Sequence, residues 1–132
     1  MKFKAFALLL ALVILLSACT PAATPAPAAT EAPAAVEEFT FGMLMVGPYN
    51  DHGYSEAHYN GGLYVEENVP GTKMIYLDKV NTADRPGTTP AQLAEELVAQ
   101  RAKLVIFNSD DMKDSAVEFA QNNPEIYVIQ AS

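Results

Sequence analysis

Phe41-Gly42-Met43-Leu44-Met45-Val46 runs directly into Gly47-Pro48-Tyr49-Asn50-Asp51-His52-Gly53-Tyr54-Ser55, and this junction decides the fold. The apolar run, broken only by Gly42, suits a strand covered on both faces. The polar loop after it opens a helical pattern. Ser55 is expected to cap that helix, which runs to about Asn68 before Pro70-Gly71 blocks it. The same unit then recurs. Lys73 to Val80 carries Met74-Ile75-Tyr76-Leu77, Leu104 to Phe107 is Leu-Val-Ile-Phe, and Ile126 to Ile129 is Ile-Tyr-Val-Ile. Thr89-Pro90-Ala91-Gln92 reads as a capping box with proline at the first helical position. Asp111 is expected to cap a third helix that Asn122-Asn123-Pro124 stops. The order βαβαβαβ predicts an α/β domain with a parallel, doubly wound sheet and right-handed crossovers.

In such a sheet the ligand crevice lies beyond the carboxyl ends of the strands, at the switch point. A flavodoxin-like order puts that point between the first and third strands. The segments after them, Gly47 to Tyr54 and Asn108 to Asp111, hold the densest polar and aromatic residues of the domain. Gly61-Gly62 inside the first helix costs roughly 2 kcal/mol relative to two alanines, so close packing against the sheet is expected there.

The N-terminus is of another kind. Lys2 and Lys4 precede an unbroken apolar run from Ala5 to Leu16, followed by the small residues Ser17 and Ala18 and by Cys19. This is the layout of a secretory signal peptide, and the run is short of the roughly 20 residues of a membrane span. Cys19 is the only cysteine, so no intrachain disulfide can form. Leu16-Ser17-Ala18-Cys19 resembles the bacterial lipobox, in which the thiol is lipidated (palmitate-type chains) and the cysteine becomes the new N-terminus. The alternative is an ordinary signal peptide with an incidental cysteine. Residues 1–19 are thus read as a lipoprotein signal peptide and residues 20–38, almost wholly Ala, Pro, Thr and Glu, as a disordered linker. In extended form that linker spans about 3.1 Å per residue. Residues 39–132 are the α/β ligand-binding lobe. A parallel sheet ending just past its fourth strand leaves a helix face uncovered, and the lobe is therefore expected to be a piece of a longer protein.

The net charge of −8 becomes more negative when Lys2 and Lys4 leave with the signal. The cations that remain are scattered, so no footprint for nucleic acid exists. No Ser-His-Asp order, phosphate loop or dinucleotide glycine pattern is present, and the chain is read as a binding protein rather than an enzyme. Asp51, His52 and Asp110 have no recognised metal-ligand spacing. No cofactor and no metal are expected, and His58 is expected on a helix surface or in a satisfied packing site.

The stretch from Phe41 to Ser132 resembles the N-terminal lobe of the basic membrane protein (BMP) family of lipoproteins, substrate-binding proteins of ABC importers related to purine-nucleoside receptor lipoproteins. The resemblance rests on Val46-Gly47, on Asn50-Asp51 followed by Tyr54, on Ala57-His58-Tyr59 with Gly61, on Ala94-Glu95-Glu96-Leu97, on Leu104-Val105-Ile106-Phe107 with Ser109, and on Ala120 before Pro124. It departs at Arg101, where the family carries glycine at the helix end, at Asp110-Asp111, and at Tyr54 in place of Phe or Trp. What the resemblance implies is a type I periplasmic-binding-protein-like lobe that binds a purine nucleoside or base. The protein would be held by lipid on the extracytoplasmic face of the cell membrane and would deliver its ligand to an ABC permease. It also implies that Tyr54 stacks on the ligand, that Asp51 accepts hydrogen bonds from it, and that Ser109 is the polar position after the third strand; Ser55 and Asp110, in the same two segments, complete the candidate ligand-binding set. Plainer roles stand beside these: Asp51 as a cap, Tyr54 as a hydrophobic staple, Asp110-Asp111 as an N-cap with a solvated neighbour. A ligand-sensing ectodomain of the same fold without transport is the alternative function, and a hydrolytic enzyme on an α/β scaffold a more distant one.

Overall fold

A computed structural model describes residues 37–132. The segment expected to be a signal peptide, Cys19 and the Ala/Pro-rich stretch up to residue 36 lie outside the described residues. The strands are β1 (Phe39–Leu44), β2 (Thr72–Leu77), β3 (Leu104–Phe107) and β4 (Tyr127–Gln130), and the helices α1 (Tyr54–Asn68), α2 (Pro90–Ala99) and α3 (Lys113–Asn122). A short 3-10 turn, Asp110–Met112, precedes α3. The sheet is all-parallel with strand order β2-β1-β3-β4. The order reverses between β1 and β3, where the sequence placed the switch point. β3 falls on its expected run, and the ends of the other three strands differ from expectation by one to three residues, the usual scatter of such boundaries.

Alternation along each strand assigns two faces. Phe41, Met43, Met45 and Met74 are buried on one face, with Tyr59 and Leu63 of α1 packed against them. Leu44, Val105 and Phe107 are buried on the other, against Ala94 and Leu97 of α2 and Ala116 and Phe119 of α3. Phe107 and Phe119 meet with ring centroids 5.8 Å apart. Helices therefore cover both faces, as a doubly wound sheet requires, but unequally. On the α1 side the outer half of the sheet is bare, and Tyr127 and Ile129 of β4 are 71 % and 45 % exposed.

Two glycines set how closely helices approach. A Cβ on Gly42 would sit 2.8 Å from Leu97 Cδ1, so the break in the first apolar run is the place where α2 lies on β1. A Cβ on Gly62 would overlap the Met74 sulfur, which is the expected close contact of α1 with the sheet. Gly61 has open space around its Cα, so the packing reason holds for one member of the pair only.

Helix ends follow the sequence in part. Thr89 and Gln92 form a reciprocal capping box, with Gln92 N–H donating to Thr89 Oγ1 at 3.2 Å and Thr89 N–H donating to Gln92 Oε1 at 3.0 Å. α1 and α3 end at Asn68 and Asn122, where the breakers stand. Two caps are corrected. Ser55 lies inside α1 rather than before it. Asp111 lies within the 3-10 turn, and Ser109 caps that turn by accepting the Asp111 N–H at 3.3 Å.

Candidate functional site

The carboxyl ends of β1 and β3 are joined by a side chain. Asn108, fully buried directly after β3, accepts the Val46 N–H through Oδ1 at 2.9 Å. Its own N–H donates to Leu44 O at 3.1 Å, which extends the β1–β3 ladder. Among the described residues Asn108 Nδ2 has no hydrogen-bond partner. Buried amide groups are nearly always paired, so this donor at the switch point is an exception. The sequence reading placed Asn108 in the right loop but gave it no role.

The first loop is built around Asp51. Asp51 Oδ1 accepts from Gly53 N–H at 2.8 Å and Glu56 N–H at 3.0 Å, and Oδ2 accepts from Ser55 N–H at 3.1 Å. Glu56 reaches back, its Oε2 accepting the His52 N–H at 2.7 Å. Asp51 and Glu56 thus satisfy the orphan donors at the start of α1. The Glu56 N–H does most to hold the Asp51 carboxyl below its ordinary value of 3.8; partial burial opposes it, and Ser55 and Gly53 reinforce it. The carboxylate also lies at the positive end of the α1 dipole.

The other expected residues are placed unevenly. Tyr54, the first residue of α1, is 45 % exposed, and its ring lies on His58 with centroids 4.5 Å apart. Ser55 is fully buried and accepts the Gly47 N–H at 3.0 Å, so its hydroxyl braces the loop from within and does not reach the crevice surface. Ser109 is half-buried and its carbonyl accepts from Gln130 Nε2 at 2.9 Å, which ties β3 to β4. The Asp110 side chain is exposed on the 3-10 turn. Asp51 and Tyr54 lie in the segment that follows β1, Ser109 and Asp110 in the segment that follows β3.

Two features were not read from the sequence. Tyr49, Tyr59 and Tyr76 form a cluster with centroids 5.0–5.8 Å apart, drawn from the loop, α1 and β2. Burial, then the neighbouring Tyr59 and Tyr49, raise the Tyr76 hydroxyl above its ordinary value of 10.0. Their spread over the chain hid the cluster, although Tyr76 alternates with Met74 and Tyr59 shares a helix face with Leu63. The second feature is a cavity of about 360 Å³ between the β2–α2 connection and the 3-10 turn, with Asn81, Thr82, Arg85, Thr88 and Asp111 in its wall. None of the five expected ligand residues lines it.

No protein-family model matches this chain, and the search of curated proteins finds no significant match.

Proposed function

We propose that this chain is the ligand-binding lobe of a membrane-tethered solute-binding protein. More particularly, we propose that it takes a purine nucleoside or related base for an ABC importer, as the BMP resemblance implies. The observation that carries the binding reading is the reversal of strand order between β1 and β3. Open parallel sheets hold ligands at that point, and here an exposed tyrosine and a capped helix N-terminus stand on one side of it, with a serine-acid loop on the other. Tyr54 supplies an aromatic face for the ring. Asp51 has less to offer than the resemblance implies, because three backbone donors already occupy its carboxylate. The acceptor for ring N–H or sugar hydroxyls is more readily Asp110, whose side chain is exposed. Lipid on Cys19 would keep the lobe at the membrane surface, where the permease sits.

The test is ligand-observed NMR on the full chain with adenosine, inosine and guanosine, a readout that detects weak binding. Saturable binding is expected. Tyr54→Ala should weaken it by about 1–3 kcal/mol, the range of base–aromatic stacking, without changing the circular dichroism. Absence of transfer to all three nucleosides from a folded protein rejects the nucleoside reading.

A further inference from the structure

Residues 78–89 connect β2 to α2, a longer path than the about 2–6 residues usual for a strand-to-helix loop in such domains. The path is pinned rather than loose. Asn81 Nδ2 donates to Val46 O at 2.9 Å and to Asp84 Oδ2 at 2.8 Å, while Asn81 Oδ1 accepts from Ala83 N–H at 3.0 Å and Asp84 N–H at 2.9 Å. Arg85 donates to one carbonyl, Asp78 O, from Nε at 3.3 Å and from Nη2 at 3.0 Å. The connection is thereby folded back as one wall of the cavity of about 360 Å³, a size within the range of small-molecule sites.

The charges in that wall are set apart. A guanidinium has five N–H donors in a planar fork, and Asp78 O engages only two groups of it. Among the described residues Arg85 forms no ion pair. Asp111 lines the same cavity, and among the described residues its carboxylate forms neither an ion pair nor a hydrogen bond. Arg85 and Asp111 thus both line one small cavity, and among the described residues no ion pair joins them. Thr82 and Thr88 add hydroxyls, which can donate or accept. Beneath them Val80, Leu93 and Met112, all buried in the main core, make an apolar floor.

We propose that this cavity is a second recognition site, for a small zwitterion of the α-amino-acid class. The ligand carboxylate lies on the free edge of Arg85, where a guanidinium binds it in a planar, two-bonded arrangement. The ammonium lies on Asp111, and an aliphatic side chain covers the floor. A phosphate or other dianion is disfavoured by the adjacent Asp110 and Asp111. A simple amine is disfavoured by Arg85. None of the residues proposed for the nucleoside lines this cavity, but Asp111 directly follows Asp110, so adenosine binding is the control that separates the two sites.

The experiment is titration of the full chain with L-norleucine, with hexanoate, which lacks the ammonium, and with pentylamine, which lacks the carboxylate. Norleucine should bind saturably, and each half-analogue at least about tenfold more weakly, since one charge-assisted contact is lost. Asp111→Asn removes a charge from an exposed side chain with no structural bond, so the fold is retained. It should weaken norleucine about tenfold or more while leaving hexanoate unchanged or tighter. Arg85→Lys keeps the charge but loses the fork, and should weaken norleucine and hexanoate alike. Failure of norleucine to bind, equal binding by either half-analogue, or insensitivity to Asp111→Asn overturns the proposal. So does loss of adenosine binding in Asp111→Asn, because the cavity would then be part of the nucleoside site. Loss of adenosine binding in Tyr54→Ala alone bears only on the nucleoside reading.

Discussion

Arg101 adopts φ 76°, a left-handed conformation that favours glycine. It follows α2 as the second member of a Schellman closure. The Arg101 N–H donates to Val98 O at 2.8 Å and the Ala102 N–H to Leu97 O at 3.0 Å, with Leu97 and Ala102 buried together. This gives a physical reason why glycine would be favoured at that position. Arg101→Gly is therefore expected to stabilise the domain by about 1 kcal/mol, the order of the left-handed cost for a non-glycine residue, as read by urea unfolding. Asp51 makes a pH prediction. Its carboxyl is lowered in the fold, so its stabilising effect is full above the unfolded value near 3.8 and is lost as pH falls through the lower folded value. Asp51→Ala should lower the melting temperature at pH 7, and the gap from the parent should close in strong acid. A gap that persists unchanged at low pH would show that the charge on Asp51 is not what holds the loop. The sequence left Asp51 open between cap and ligand acceptor. Residue type and position are the same for both, and only the three converging N–H groups separate them.

At the scale of elements, helix starts were legible where local chemistry was self-contained. Thr89-Pro90-Ala91-Gln92 closes its own box and needs nothing from elsewhere. The start of α1 does not. Its orphan donors are met by Asp51 and by Glu56 returning to His52, across a loop in which His52 has φ 55°. Ser55 seemed the natural cap because serine often is one, but the loop buries its hydroxyl under Gly47. The adjacent glycines of α1 separate propensity from packing. Gly61→Ala fills open space and should gain about 1 kcal/mol of helix propensity. Gly62→Ala meets the Met74 sulfur, with Met43 Cε 3.4 Å away, and should show no such gain. Equal gains in chemical denaturation would mean that α1 can lift from the sheet without cost. The two faces of the sheet differ in the same way. Phe119→Ala should cost about 3–5 kcal/mol as a core truncation, whereas Tyr127→Ala, on the bare half, should cost far less.

The whole molecule joins two kinds of sequence, and they are legible for different reasons. The sheet order followed from alternation of apolar runs with helices, because right-handed crossovers leave few topologies open. The cavity beside Arg85 did not follow, because its wall comes from a long connection whose path depends on bonds to Val46 and Asp78. The N-terminal segment, proposed from its composition to be a lipoprotein leader, makes the prediction that decides where the domain works. A single acyl chain gives only marginal, reversible membrane binding, whereas two or more chains, at about 0.8 kcal/mol per buried CH₂, hold a protein stably. With Cys19 the only thiol in the chain, every thioether-linked lipid must be attached there. Cys19→Ser should therefore move the protein from the membrane to the soluble fraction. The parent should need detergent rather than high salt for release, because an acidic domain has no basic patch to hold it to anionic lipid. The folded lobe is distant in sequence from the substitution, so its circular dichroism should be unchanged. If parent and variant are retained equally by membranes in both salt and carbonate washes, the anchor is not lipid on Cys19, and the leader is then an ordinary signal peptide with an incidental cysteine.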